Sequence, residues 1–154
     1  MNTQGIVLVV SVSIIRDEKV LMIKENKPTA LNKWNFPSGR IERREDILHA
    51  ARREVKEETG YDVKLTKTTG IYNFISSSNH QVILFHFIGE VIGGSLKIEE
   101  EQIIDSKWIK VTDLMNTDNI DLRDAGVIKQ IVSKLINKDF YPMTIFHDQL
   151  SNEG

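Results

Sequence analysis

The chain has 154 residues, enough for one domain with a substantial core, and 40% of them are hydrophobic while 27% are charged. A formal net charge of −2 gives no general attraction to nucleic acid or to anionic membranes, and we expect neither as a partner. The sequence contains no cysteine, which excludes disulfides, a thiol nucleophile and a thiolate metal site and is compatible with the cytoplasm, where we expect the protein to work.

The N-terminal part of the sequence predicts a β-hairpin. Residues 6–15 are rich in valine and isoleucine, residues 16–19 are polar, and residues 20–23 are apolar again. The first run is interrupted by Ser11 and Ser13 and lacks a basic leader and a cleavage site. We therefore interpret it as a strand, because it is also too short to span a bilayer.

The following segments combine a loop, a short strand and a helix. We predict a loop over residues 25–33, which contain Pro28, and a short strand over residues 34–36. A helix is predicted from about residue 46 to residue 59, because aliphatic residues recur there at helical spacing. Gly60 is suited to ending it.

The second half of the chain predicts further strands and a closing helix. The predicted strands are 61–67, 70–75, 81–92 and 106–110. A short helical start is expected at 112–114, and an amphipathic helix at about 124–138 carries an apolar stripe. Residues 139–154 form a tail, and we expect it to pack on the domain or on a partner because its first part is strongly apolar.

The strongest functional signal lies in residues 39–61. Glu54, Glu57 and Glu58 stand at positions i, i+3 and i+4, so a helix places the three carboxylates on one face. Like charges at this spacing destabilise a helix unless a positive group compensates them. A hard divalent cation would do so, since it takes oxygen ligands. The simpler alternative is a solvated amphipathic helix with surplus glutamates.

This stretch resembles the Nudix box, in which glycine, glutamate and arginine residues stand at fixed spacing. The matching residues are Gly39, Glu45, Arg53, Glu54, Val55, Glu57, Glu58 and Gly60. The resemblance implies a Nudix hydrolase domain over residues 4–138, with the box at 39–61 and the tail at 139–154. The implied fold class is α+β, an α/β/α sandwich with a mixed β-sheet. The sequence departs from the pattern at Ser38, Arg44 and Tyr61.

The resemblance also implies a chemistry and roles for the matching residues. The family hydrolyses a nucleoside diphosphate linked to another moiety by attack of water at phosphorus, with divalent cations such as Mg²⁺ or Mn²⁺. The implied metal ligands are Glu54, Glu57, Glu58 and the carbonyl of Ser38. Glu54 would serve as a ligand or as the base, and Arg53 would hydrogen-bond Glu45 and orient the ligating carboxylates.

Other candidate site residues rest on looser cues. Gly39 would let the backbone approach metal or substrate, and Arg40 and Phe74 are candidate substrate contacts. Glu101 belongs to an acidic cluster that would supply a further metal ligand or base, or simply form a solvated turn. His86 is predicted as a sheet residue rather than a ligand, because the four histidines show no metal-ligand spacing.

Three functions compete. The first is metal-dependent hydrolysis of a pyrophosphate bond in a nucleoside diphosphate derivative or (d)NTP. The second is a catalytically silent Nudix-like module that binds nucleotides and regulates, although lost carboxylates would be its mark. The third, an isoprenyl diphosphate isomerase, is opposed by the absence of cysteine.

The substrate is only weakly indicated. A proline typical of some ADP-ribose hydrolases and a tyrosine typical of some dinucleoside polyphosphate hydrolases are both missing after the box. Their absence favours nucleoside triphosphates or another small phosphate ester. The apolar tail favours a homodimer.

Overall fold

The computed structural model describes residues 5–116 and 120–151 of the chain. These residues form eight strands, two α-helices and two short 3₁₀ helices. The strands are β1 Val7–Arg16, β2 Lys19–Lys27, β3 Ala30–Asn35, β4 Ser38–Arg40, β5 Tyr61–Ile75, β6 Gln81–Gly94, β7 Ile103–Lys110 and β8 Tyr141–Pro142. The α-helices are α1 Ile47–Thr59 and α2 Ala125–Asn137, and the 3₁₀ helices are Val111–Met115 and Met143–Ile145.

The sheet is mixed and runs in the order β3-β2-β1-β6-β5-β8. β1 pairs with β6 in parallel and with β4 antiparallel. It therefore lies between β6, a long central strand, and β4, which contains Gly39 at the start of the motif. β2 continues from β1 through a tight hairpin and pairs antiparallel with both β3 and β7.

The two helices pack on opposite sides of β1, because its side chains alternate. Val10, Val12 and Ile14 belong to the core that includes α1 residues, whereas Val9 and Ile15 pack against the core that includes α2 residues. This arrangement of two helical layers on a mixed sheet confirms the predicted α+β sandwich.

The motif helix α1 is capped at both ends, and its C-terminal end at Gly60 is the one that the sequence predicts. The Asp46 side chain accepts hydrogen bonds from the backbone N–H groups of Leu48 and His49 at the N-terminus. At the other end Gly60 adopts the left-handed conformation with φ of 86°, which favours glycine. The two caps therefore define where α1 begins and ends, and the three glutamates lie within these limits.

Two predicted segments differ from the structure. Residues 25–33 are mostly strand rather than loop, because β2 and β3 pair up to Lys27 and Ala30. Pro28 therefore occupies the turn, where its missing N–H breaks no ladder hydrogen bond. The segments 61–67 and 70–75 form one continuous strand, β5, in which register shifts absorb the irregularity around Gly70.

The described part of the tail lies against the domain, and its last three residues lie outside the described residues. Tyr141 pairs with Thr68 of β5. The Phe146 ring centroid lies 6.2 Å from that of Phe85 and 5.1 Å from that of Phe87. Among residues 5–116 and 120–151, no helix is both long and apolar enough to cross a membrane.

Candidate active site

Arg53 is the centre of a hydrogen-bond network on the exposed side of α1. Its Nε and Nη2 donate to the two carboxylate oxygens of Glu45 at 2.6 and 2.9 Å. Its Nη1 donates to Glu54 at 2.7 Å and to Glu57 at 2.9 Å, and its Nη2 also reaches the Arg40 carbonyl oxygen at 3.1 Å. The forked contact with Glu45 fixes the guanidinium plane and lowers the pKa of the Glu45 carboxyl.

The Glu54 carboxylate lies directly against the backbone of β4. A Cβ atom on Gly39 would stand only 2.0 Å from the Glu54 Cδ, so no larger residue fits at position 39 without displacing the carboxylate. Burial raises the pKa of Glu54, and the hydrogen bond from Arg53 opposes the rise. Glycine at this point of the motif thus creates the space that the Glu54 carboxylate occupies.

The Glu58 carboxylate is almost completely buried beneath β4. Its Oε1 accepts a hydrogen bond of 2.7 Å from the backbone N–H of Ser38, and only 4% of its side chain is exposed. The nearest cation, the Lys27 ammonium, lies 3.9 Å from Oε2. Burial raises the pKa of Glu58 well above its ordinary value, and Lys27 only partly opposes this.

Glu57 is the outermost of the three glutamates, with 44% of its side chain exposed. Glu99 and Glu100 of the acidic cluster both line a surface depression together with Glu57, and the charge of Glu100 also raises the pKa of Glu54. Glu101 is exposed in the same turn. Glu100, which the sequence does not single out, is therefore the member of that cluster whose charge acts on the site.

The chemistry of these groups fits a hard divalent cation. All the candidate ligands offer oxygen, and two of the carboxylates have pKa values raised by burial, so a nearby cation would favour their ionised forms. Over residues 5–116 and 120–151 no three acidic or histidine side chains converge on one point. Arg53 instead bridges Glu54 and Glu57 and offsets part of their charge.

A cavity of about 290 Å³ opens beside the start of the motif, close to the lower end of the ~300–1,000 Å³ typical of small-molecule pockets. Its inner wall is apolar and comes from β1, β6 and α2, with Leu84 and Ile131 among its residues. Its rim carries three cations, Lys27, Arg40 and Arg123. The cavity is also lined by Ser38, Gly39 and Phe74. The cavity therefore combines an apolar interior with a cationic rim, and the rim lies next to the carboxylates of α1.

Two of the rim cations are held by Glu25, a fully buried acid that sequence reasoning placed in a loop. Lys27 Nζ lies 2.9 Å from Glu25 Oε2, and Arg123 Nη1 lies 3.1 Å from Oε1. A buried charge is tolerated when it is paired in this way. The sequence signal was present, since Glu25 follows Leu21 and Ile23 at the two-residue period of an inward-facing strand.

Comparison with known proteins places this fold and motif in one family. The Nudix domain family matches residues 6–131, and the chain therefore belongs to it. A NUDIX hydrolase structure from Nitrosomonas europaea superposes with a TM-score of 0.83 at 24% identity, covering 97% of this chain and 100% of that one. This likeness bears on the fold.

The sequence relatives are named for several different activities. An 8-oxo-dGDP phosphatase from Danio rerio is 33% identical over 71% of this chain and 34% of its own length. An ADP-ribose pyrophosphatase from Methanocaldococcus jannaschii is 32% identical over 75% of this chain and 67% of its own. The chain also spans only 30% of a Caenorhabditis elegans relative, so it corresponds to about a third of some of these proteins.

Proposed function

We propose that this chain is a Mg²⁺- or Mn²⁺-dependent pyrophosphohydrolase acting on a nucleoside diphosphate derivative or (d)NTP. The observation that carries the proposal is the meeting of Glu54 and Glu58 with the β4 backbone at the mouth of a cavity with a cationic rim. Carboxylates suited to a cation thus lie beside positive side chains suited to phosphate. A catalytically silent nucleotide-binding module would have no need for the intact set of carboxylates.

In this proposal Glu54, Glu57, Glu58 and the Ser38 carbonyl hold the ion. When bound, the ion neutralises charge on phosphoryl oxygens and favours ionisation of a nearby water. Glu54 takes the proton of the attacking water, because its carboxylate lies against the β4 backbone beside the cavity that would hold the substrate. Its Oε1 is held by Arg53, which fixes the direction of the carboxylate.

Arg53 and Glu45 act as positioning residues. The guanidinium is held by two hydrogen bonds to Glu45 and is thereby aimed at both Glu54 and Glu57. Such supporting contacts restrict the rotamers of ligating side chains and tune their affinity for metal. The Arg53 contact to the Arg40 carbonyl ties the same network to the strand that borders the cavity.

The rim cations suit the negative charge of a substrate with several phosphates. Lys27 lies between the buried Glu25 and Glu58, so it stands where the cavity meets the carboxylate site. A substrate whose apolar or aromatic part occupies the cavity would place its phosphates next to Lys27, between the cavity and Glu54. Fixed cations lower the energy of a charged phosphoryl group without reorganising during the reaction.

We propose a nucleoside di- or triphosphate as the substrate, because the sequence lacks the proline and tyrosine signatures described above and three relatives are named as 8-oxo-dGDP phosphatases. ADP-ribose is the second candidate, favoured by two relatives named as ADP-ribose pyrophosphatases. Both share a nucleoside linked to a diphosphate, which is the chemistry that the cavity and its rim fit.

A substrate panel separates these candidates. The wild type is incubated with Mg²⁺ or Mn²⁺ and with each of the (d)NTPs, (d)NDPs, 8-oxo-dGDP, 8-oxo-dGTP, ADP-ribose, nucleotide sugars and dinucleoside polyphosphates. Released phosphate, pyrophosphate and nucleotide are measured by chromatography. Selective turnover of di- or triphosphates supports the proposal, and selective turnover of ADP-ribose replaces its substrate with the second candidate. Binding of nucleotides with no turnover of any of them favours the silent module.

A further inference from the structure

The cavity contains one chemical feature that the proposed hydrolysis does not use. Ser11 of β1 lines the cavity among apolar residues, and its side chain is linked to a fully buried histidine. The Ser11 Oγ lies 2.6 Å from Nδ1 of His86, and the Ser13 Oγ lies 2.6 Å from Nε2 of the same ring. The three residues form a continuous chain of hydrogen bonds across β1 and β6.

His86 is neutral in this chain. Its ring is packed against Phe36 with the centroids 4.8 Å apart, and both ring nitrogens face serine hydroxyls rather than carboxylates. Burial also lowers the pKa of His86 to about 3. A neutral imidazole has one N–H donor and one acceptor nitrogen, so one serine donates to the ring and the other accepts from it.

Both serines are buried, and contact with the cavity decides which one donates to the ring, because Ser11 lines the cavity and Ser13 does not. Ser13 is fully buried, and within the part of the chain that the structure describes its hydroxyl has no hydrogen-bond partner except His86. If Nε2 donated to Ser13, the Ser13 hydroxyl hydrogen would have no acceptor, and an unsatisfied buried donor is costly. Ser13 therefore donates to Nε2, and the proton of the imidazole is on Nδ1.

The direction of the second hydrogen bond follows. The Nδ1–H of His86 donates to Ser11 Oγ, which leaves the Ser11 hydroxyl hydrogen free to point into the cavity that Ser11 lines. We propose that Ser11 is a specificity-determining donor that recognises a hydrogen-bond acceptor, a carbonyl oxygen or ring nitrogen, on the nucleobase seated in the cavity. His86 is its positioning residue. This inference rests on the proposed function, since it takes the ligand to be a nucleotide.

The tautomer of His86 tests the chain without any substrate. In ¹⁵N-labelled full-length protein at pH 7, long-range ¹H–¹⁵N spectra distinguish a protonated Nδ1 from a protonated Nε2. We expect His86 to carry its proton on Nδ1. A proton on Nε2 would overturn the inference, because Nδ1 would then be the acceptor and Ser11 would donate to the ring and not to the ligand.

Ligand affinity tests the role of Ser11 separately from hydrolysis. Binding of GMP, AMP, CMP, UMP and ribose 5-phosphate is measured by calorimetry in EDTA for the wild type, Ser11→Ala and the control Thr68→Val. Thr68 donates to the backbone carbonyl of His86 but does not line the cavity, so its variant reports general damage to this region. Thermal unfolding of both variants establishes that each is folded.

We expect Ser11→Ala to weaken the nucleotide that binds best by about 3- to 10-fold while leaving ribose 5-phosphate unchanged. Thr68→Val should not show this selectivity. Equal weakening of every ligand, or no weakening, overturns the role of Ser11 even where nucleotides bind. If no nucleotide binds the wild type, the assignment of a nucleobase acceptor to Ser11 is overturned, whereas the proposed hydrolysis is decided separately by the substrate panel with metal.

Discussion

Gly39 and Glu54 are in direct contact, and a Cβ atom on Gly39 would lie 2.0 Å from the Glu54 Cδ. The glycine of β4 therefore determines where the carboxylate of α1 can stand. We expect Gly39→Ala to push the carboxylate aside and to lower kcat by about 100-fold, a loss typical of a small misplacement of a reacting group. The measurement is steady-state hydrolysis on the best substrate of the panel.

Gly126→Ala is the matched control for that change. Gly126 lies in α2, and a Cβ atom there would meet nothing within 4 Å. This variant should keep full activity and be at least as stable as the wild type, because alanine favours helix more than glycine does. Wild-type turnover in Gly39→Ala would contradict the role of Glu54.

Replacement of Arg53 by lysine tests whether the hydrogen bonds of the guanidinium position the carboxylates. Lysine keeps the charge but cannot make the forked contact to Glu45 while also reaching Glu54 and Glu57. We expect Arg53→Lys to raise the Mg²⁺ concentration needed for half-maximal activity, or to lower activity, by about 10- to 100-fold. The exposed neighbour Arg52, as Arg52→Lys, should behave as wild type. Wild-type activity and Mg²⁺ dependence in both variants would show that a positive charge alone suffices at position 53.

His86 predicts a pH dependence of stability. Its folded pKa of about 3 lies below the ordinary value of 6.5, so the buried neutral ring stabilises the fold above pH 6.5. This contribution is lost as the pH falls from 6.5 toward 3. From pH 7 to pH 5 the loss amounts to about 2 kcal/mol of unfolding free energy. Urea unfolding in EDTA should show that His86→Gln removes this part of the acid sensitivity, and an unchanged pH profile in the variant would contradict it.

Part of this architecture follows from the sequence because it depends on local rules. The helix α1 is predicted from about residue 46 to residue 59 with Gly60 ending it, and the structure places its two caps at Asp46 and Gly60. The spacing of the glutamates within α1 then settles which of them share a face. These features need only neighbouring residues, so a single sequence is enough to predict them.

The remainder depends on contacts between distant segments. Glu25 and Arg123 are 98 residues apart in the chain, and nothing local in either segment indicates that they form a buried pair. The sequence predicts a loop where β2 and β3 form a hairpin, because Pro28 and polar residues obscure the two-residue period. Ser11 and His86 meet only because β1 and β6 pair in parallel, a pairing that turns and periodicity do not specify.

The tail offers a further prediction. Half-buried Phe146 packs near Phe85 and Phe87, whereas Leu150 is 88% exposed. We expect Phe146→Ala to lower the free energy of unfolding by about 2 kcal/mol, less than for a fully buried phenylalanine, and Leu150→Ala to have no effect. Urea unfolding of the full chain checks both. A neutral Phe146→Ala would show that the tail does not contribute to the stability of the domain and would favour docking on a partner.

The most direct test of the account is the metal-dependent activity of Glu57→Gln beside Glu42→Gln. Both side chains face the Arg53 guanidinium, at 2.9 Å for Glu57 and 3.7 Å for Glu42, but only Glu57 belongs to the proposed ligand set. With the best panel substrate and saturating Mg²⁺, kcat of Glu57→Gln should fall by at least about 100-fold with its fold intact. Glu42→Gln should retain its activity, and EDTA should abolish turnover of the wild type. Near-wild-type turnover in Glu57→Gln, or turnover that persists in EDTA, would contradict the proposed mechanism.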